Sequence, residues 1–272
     1  MNLSFTPPSS RKAMYATQES GTVSLPRAES FHVRGGRLPK TRGERAATVT
    51  ANFDLVASLL PVKKRVVRAG EVIYRMGEAL ETLALVHCGS FKSVAYTDDG
   101  REQLIGVHFR EEWLGIDAIS SGTYGADVVA VDVGSIWTIN YRQLAAAACK
   151  SLPLTLILHR AMSWALNRER ETMLMLGSLS AEARVAAFLL TLSDAHESSG
   201  RSGAMLVLRL SRAEIGSYLG LALETVSRAL AKLARESIIR LNSTNGREID
   251  IIDLGRLRAL ASSSETVRAP LQ

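Results

Sequence analysis

The stretch from Leu210 to Arg235, LSRAEIGSYLGLALETVSRALAKLAR, constrains the fold more than any other part of the chain. Its apolar residues recur at helical spacing in two short blocks separated by Gly220, which predicts two helices joined by a tight turn. Ser211 and Glu214 stand in the S-x-x-E arrangement, where each side chain can satisfy a backbone N–H left free at a helix start. At about 100° per residue, Glu224, Ser227, Arg228, Ala231 and Arg235 share one arc of the second helix, while Val226, Ala229, Leu230 and Leu233 fill the opposite arc. One face can pack on a core, and the other presents an acid, a hydroxyl and two guanidinium groups outward.

A helix-turn-helix needs a small residue where the second helix crosses the first, a permissive residue at the turn, and apolar residues on both inner faces. Gly216, Gly220, Ile215, Leu219, Leu221 and Val226 meet these demands. The segment EIGSYLGLALETVSRAL resembles the recognition segment of the CRP/FNR superfamily of bacterial transcription regulators. E-T-V-S-R at 224–228 looks like the FNR branch: the CRP branch has Arg before the Glu and Gly before the second Arg, where this chain has Leu223 and Ser227. The resemblance extends from about Leu60 to Ile252, with HCGSFKSVAYTDDGREQLIGVHF followed by WLGIDAISSG similar to the family's sensory β-roll.

At 272 residues the chain has room for two domains, and its net charge of +6 suits a polyanionic partner. The two cysteines, Cys88 and Cys149, have no C-x-x-C spacing, so neither a disulfide framework nor a zinc site is expected. No apolar run reaches the roughly 18 residues of a membrane span. A soluble, cytoplasmic protein is expected.

The fold expected is α+β: an N-terminal antiparallel β-roll of the cyclic-nucleotide-binding type, a long dimerisation helix and a C-terminal winged helix-turn-helix. Residues 1–50, with eight basic residues from Arg11 to Arg45 against Glu19, Glu29 and Glu44, read as a disordered basic arm, suited at most to loose phosphate attraction. Residues 51–150 read as the roll, because short apolar runs alternate with turn residues such as Ala69-Gly70, Gly89 and Asp98-Asp99-Gly100. Strands are expected over 63–67, 71–74, 83–87, 91–97, 101–109, 126–133 and 134–140. Residues 151–177 read as the dimerisation helix: Leu154, Leu158, Ala161, Ala165, Thr172 and Leu176 line one narrow stripe of it, which predicts a coiled-coil seam. Residues 178–262 form the DNA-binding domain, with a hairpin wing around the Asn-Gly of NSTNGR, and 263–272 a tail.

The resemblance also frames the ligand question. Cyclic-nucleotide-binding relatives hold ribose and phosphate with a Gly-Glu pair and a later Arg-Ser or Arg-Thr pair; here Gly115 is followed by Ile116, and Ala126 and Asp127 stand at the later positions. A site without that Arg, and with Asp127 nearby, repels a phosphate, so no cAMP binding is expected. An iron–sulfur cluster needs four soft ligands, yet no cysteine precedes Cys88 and the roll position of the fourth family ligand is Trp137. No cofactor is therefore expected. Haem is the alternative within the family, with His87 and His108 as the ligands to consider among His32, His87, His108, His159 and His196. Outside the family, a cupin-like metalloenzyme is disfavoured because no H-x-H occurs, and an anti-activator or DNA-bridging protein is a third class.

A regulator of this kind binds double-stranded DNA as a homodimer, its recognition helices entering successive major grooves of a palindromic operator. Arg228 suits bidentate contact to guanine, Glu224 accepts from cytosine or adenine, and Ser227 allows close approach at a thymine. Arg212, Lys232, Arg235 and Arg247 are the phosphate-contact candidates. The resemblance implies a TTGAT-like half-site, a role as activator, and contact with RNA polymerase, for which the turn Arg110-Glu111-Glu112 is one charged place.

Overall fold

The computed structural model describes residues 53–97, 99–242 and 246–262. The expectations for the N-terminal arm, the tail and the tip of the wing lie outside them.

A short helix α1 at residues 53–59 precedes the strands. β1 (Lys63–Val67), β3 (Thr82–Cys88), β6 (Trp113–Leu114) and β8 (Gly134–Asn140) form one antiparallel sheet in the order β1-β8-β3-β6. β2 (Val72–Tyr74), β4 (Phe91–Tyr96), β5 (Glu102–His108) and β7 (Asp127–Ala130) form a second, ordered β2-β7-β4-β5. The sheets close on each other over Val67, Val86, Leu114 and Ile136 from the first and Phe91, Val128 and Ala130 from the second. Four consecutive residues of β3, Leu83 to Val86, are buried. A strand alternates only when one of its faces is wet, and the outer face of β3 is covered: Leu83 and Ile139 pack against Leu144 of α2 (Tyr141–Ala148) and Leu154, Ile157 and Leu158 of α3 (Leu152–Ser178).

The strand expected over 126–133 stops at Ala130, because Asp132 turns to accept the N–H and hydroxyl of Ser90. α3 runs on through Gly177 and Ser178 and ends at Leu179, whose N–H bonds to Met175. α4 (Ala181–Ser198) starts at Ser180, whose hydroxyl accepts from the N–H of Ala183. Then come β9 (Met205–Val207), α5 (Arg212–Leu219), α6 (Leu223–Arg235), the hairpin strands β10 (Ile239–Leu241) and β11 (Glu248–Ile251), and α7 (Leu254–Ser262). The small sheet has the order β10-β11-β9.

The N-terminal part of the stripe assigned to the dimer seam packs under the roll. Leu154 is fully buried and Leu158 nearly so, both in the cluster under the roll, and Ala161, Ala165, Thr172 and Leu176 are half-buried. A narrow apolar stripe reports that a helix face is covered, without distinguishing its own core from a partner. Of the apolar residues that α3 leaves in solvent, Leu152, Leu156 and Leu174 lie on the opposite face, Leu166 and Met173 at its margin, and Met162 and Trp164 to either side of the stripe.

Candidate nucleic-acid interface

α5 and α6 are built as the residue pattern requires. Ser211 and Glu214 complete a capping box, the Ser hydroxyl accepting from the N–H of Glu214 and the Glu carboxylate from the N–H of Ser211. Gly220 takes φ +62°, the left-handed conformation that lets the chain leave α5 and re-enter helix within a few residues. A Cβ on Gly216 would lie 2.5 Å from the carbonyl oxygen of Leu221, so the turn crosses α5 at a place only glycine allows. Val226, Ala229, Leu230 and Leu233 bury one face of α6 in a core shared with Ile215, Leu219, Ile239 and Ile249.

That burial fixes the other face outward. Glu224, Ser227, Arg228 and Arg235 are all exposed on it. The Arg228 guanidinium donates to the hydroxyl of Thr225 at 3.3 Å, which holds it along the helix; the sequence reading gave Thr225 no role. Ala222, at the N-cap of α6, offers no side-chain acceptor; its carbonyl takes the N–H groups of Thr225 and Val226, so the anion-favouring end of the helix is at its first two residues, Leu223 and Glu224.

The four phosphate candidates separate. Arg235 and Arg247 are exposed. Lys232 bonds to the carboxylate of Glu182 on α4 at 2.6 Å, and this bond raises its pKa. Arg212 is half-buried and donates to the carbonyl of Gly246 at 2.6 Å, so its charge braces the wing from behind. Burial first, and the neighbouring Arg247 second, lower its pKa. Arg184, another residue given no role by the sequence pattern, donates to the carbonyls of Leu176 and Leu179 at the end of α3 and of Leu219 at the end of α5. Cations at helix C-termini meet favourable dipoles, and this one guanidinium ties the helix-turn-helix to the long helix.

The roll also grips α5. β5 is an edge strand, and its Leu104 N–H donates to the hydroxyl of Ser217 at 2.9 Å. Lys92 on β4 pairs with Glu214 at 2.5 Å. Arg168 of α3 donates to the Glu112 carboxylate and to the carbonyl of Val107, and it also interacts with Tyr218 of α5. The turn Arg110-Glu111-Glu112 is thus not a uniformly exposed charged surface: Glu112 is buried, held by Arg168 and by His108 Nδ1 at 3.1 Å. No helix among the described residues is long and apolar enough to cross a membrane.

A closed β-roll joined by a long helix to a winged helix-turn-helix, with an exposed polar face on its second helix, defines a DNA-binding transcription regulator. Comparison places it more narrowly. Residues 183–260 match the Crp-like helix-turn-helix domain and residues 64–149 the cyclic nucleotide-binding domain. The chain is 34% identical over 200 residues to the transcriptional regulatory protein btr of Bordetella pertussis, covering 73% of this chain and 81% of that one. It is likewise 34% identical over 208 residues to the transcriptional activator protein anr of Pseudomonas aeruginosa, covering 76% and 82%. Among solved structures, FixK2 from Bradyrhizobium japonicum aligns with a TM-score of 0.66 at 30% identity, over 75% of this chain and all of that one. The chain belongs to the CRP/FNR family of transcription regulators and is not an enzyme.

Proposed function

We propose that the protein is a homodimeric activator that reads an inverted-repeat, TTGAT-like operator through α6 without an iron–sulfur cluster or cyclic nucleotide. The observation that carries this reading is the exposure of Glu224, Ser227 and Arg228 together on a helix whose opposite face is buried. In the major groove Arg228 donates to guanine, Glu224 accepts from cytosine or adenine, and Ser227 permits approach to a thymine. Arg235, Arg247 and the first-turn amides of α6 take phosphates, while Arg212 keeps the wing in register.

Dimerisation is supported by the outer face of α3, where Leu152, Leu156, His159, Ser163, Leu166, Arg170, Met173 and Gly177 follow the alternating three-four spacing of a coiled-coil seam and all are exposed. The seam of this reading therefore replaces the stripe centred on Leu154 and Leu158. A two-fold dimer implies half-sites about 10 bp apart. The activator role rests on relatives named as activators, such as anr, and implies contact with RNA polymerase.

The absence of a cyclic-nucleotide role is supported by the surroundings of Asp127. It is buried on the face of β7 that pairs with Val94, opposite the inward-facing Val128 and Ala130, and accepts the N–H of Met76 at 2.7 Å and the hydroxyl of Tyr96 at 3.3 Å. This carboxylate already uses donors that an incoming phosphate would need. Tyr74, packed against the core between the sheets, stacks on Tyr124 with centroids 3.8 Å apart. Against a haem role, His108 bonds to Ser93 and Glu112, and His87 packs between Phe53 and Trp137.

The test is fluorescence anisotropy on a labelled TTGAT inverted repeat and on single-base variants of it. Arg228→Ala is expected to weaken binding by about 1–3 kcal/mol and to flatten preference at one base pair per half-site. Full affinity and selectivity in that variant would refute the assignment.

A further inference from the structure

The outer face of the sheet β1-β8-β3-β6 carries a group of side chains that DNA recognition does not use. Trp137 on β8 lies opposite Lys64 on β1 and Leu85 on β3. The Lys64 ammonium sits 4.6 Å from the centroid of its indole. The His87 imidazole stacks on the same ring, centroids 5.6 Å apart and planes 20° apart. Phe53 of α1 meets both rings edge-on.

Arg110 stands in the β5–β6 turn, which is bonded to Val86 next to His87: the Glu111 N–H donates to the Val86 carbonyl at 2.8 Å and the Val86 N–H to the Glu112 carbonyl at 2.9 Å. Burial first, then the charges of Arg110 and Lys64, hold the pKa of His87 below its ordinary value. His87 Nδ1 and Arg110 Nε are both buried, and neither has a hydrogen-bond partner. Among the described residues, no carboxylate forms an ion pair with Lys64, His87 or Arg110. A buried donor without an acceptor is costly, and more so when it belongs to a charged group. Orphaned groups of this kind call for a missing acceptor.

We propose that this patch is a binding site for a small free oxyanion, a carboxylate or a phosphate group. Arg110 Nε–H and the Nδ1–H tautomer of the neutral His87 ring donate to it, Lys64 supplies charge from the rim, and Trp137 forms the floor. A water molecule could satisfy the donors but would leave the positive charge uncompensated; an acceptor-only anion answers both. The site is on the outer face of the sheet β1-β8-β3-β6, whereas Asp127 belongs to β7 of the other sheet, and it depends on no assumption about DNA.

The full-length protein is titrated with inorganic phosphate or with acetate at constant ionic strength, chloride serving as the balancing salt. Indole fluorescence and the thermal midpoint are recorded. A saturable fluorescence change and a raised midpoint are expected with one or both anions, and the anion that acts identifies the chemistry. Arg110→Gln and His87→Phe should each weaken the apparent affinity at least about tenfold, whereas Lys63→Gln, on the alternate face of β1, should titrate like the wild type. Arg110→Gln removes an unpaired charge, so its midpoint without anion should equal or exceed that of the wild type, which separates loss of binding from loss of fold. The proposal is overturned if neither anion saturates by about 50 mM, well above the millimolar range of a weak site, or if Arg110→Gln responds as the wild type does.

Discussion

Replacing Arg168 with Met tests whether the roll, the long helix and the helix-turn-helix share one joint. The Glu112 side chain keeps 9% of its surface exposed and that of Arg168 18%, so the pair is largely withdrawn from water. Burial by itself would lower the pKa of Arg168; Glu112, with a further contribution from Tyr218, more than offsets this and leaves it raised. Taking the guanidinium away strands the carboxylate, with His108 as its one remaining ring partner. Breaking a buried pair from one side costs about 3–5 kcal/mol, and the residual exposure argues for the lower end, about 3 kcal/mol. Against a total stability of about 5–15 kcal/mol, that is a large share. In urea, with a slope of about 1–3 kcal/mol/M, the midpoint should fall by at least about 1 M. The double variant Glu112→Leu, Arg168→Met should recover much of the loss, because it removes the stranded charge together with its partner. A cost under about 1 kcal/mol for the single change, or a double variant no more stable than the single, would show that the pair is solvated and the reasoning wrong.

Lys92 and Glu214 divide two roles that chemical denaturation can separate. Lys92→Met removes only a part-exposed ion pair, for about 0.2–1 kcal/mol, while Glu214→Ala also opens the capping box of α5 and should cost about 1 kcal/mol more. The pKa of His196 lies below its ordinary value of 6.5, through burial first and the charge of Arg201 second. The unfolded chain therefore binds more protons than the folded one just below pH 6.5, stability falls as pH drops through that window, and His196→Gln should flatten this segment of a midpoint-versus-pH curve. Leu166→Glu on the outer face of α3 should yield folded monomers in sedimentation velocity; Leu158→Glu, aimed into the roll's own core, should instead unfold the protein, seen as loss of the cooperative melt.

Legibility in the sequence followed the locality of the interaction. The capping box, the αL turn at Gly220 and the two faces of α6 are set within a few residues by backbone chemistry, so the pattern of Leu210–Arg235 places them before any tertiary contact is known. Strands were legible in the same way wherever one run of apolar residues equals one strand. Trp113 and Leu114 pair for only two residues with β3, too short a run to carry a period, and β7 loses its second half to Asp132, whose carboxylate serves a loop 42 residues away. Arg212 and Glu112 show the same limit in charged residues: composition marks a cation or an acid as a surface group by default, and only the fold reveals that one braces the wing and the other sits in a buried pair.

The long helix extends this point from residues to domains. Its two apolar stripes are nearly opposite, and a spacing argument ranks them by regularity, which favours the face whose positions are tightly aligned. Regularity on that face comes from the roll below it, where Leu154, Ile157 and Leu158 fill a core with Leu83 and Ile139. The outer stripe is interrupted by His159, Ser163 and Arg170, as a seam that must stay soluble in the monomer requires. The roll and Arg168 hold this helix along its length and Arg184 holds its end, so exchanging the two stripes would break all of these contacts. The proposed dimer therefore uses the outer face, and in it the spacing between recognition helices depends on the contacts that hold α5 to β5.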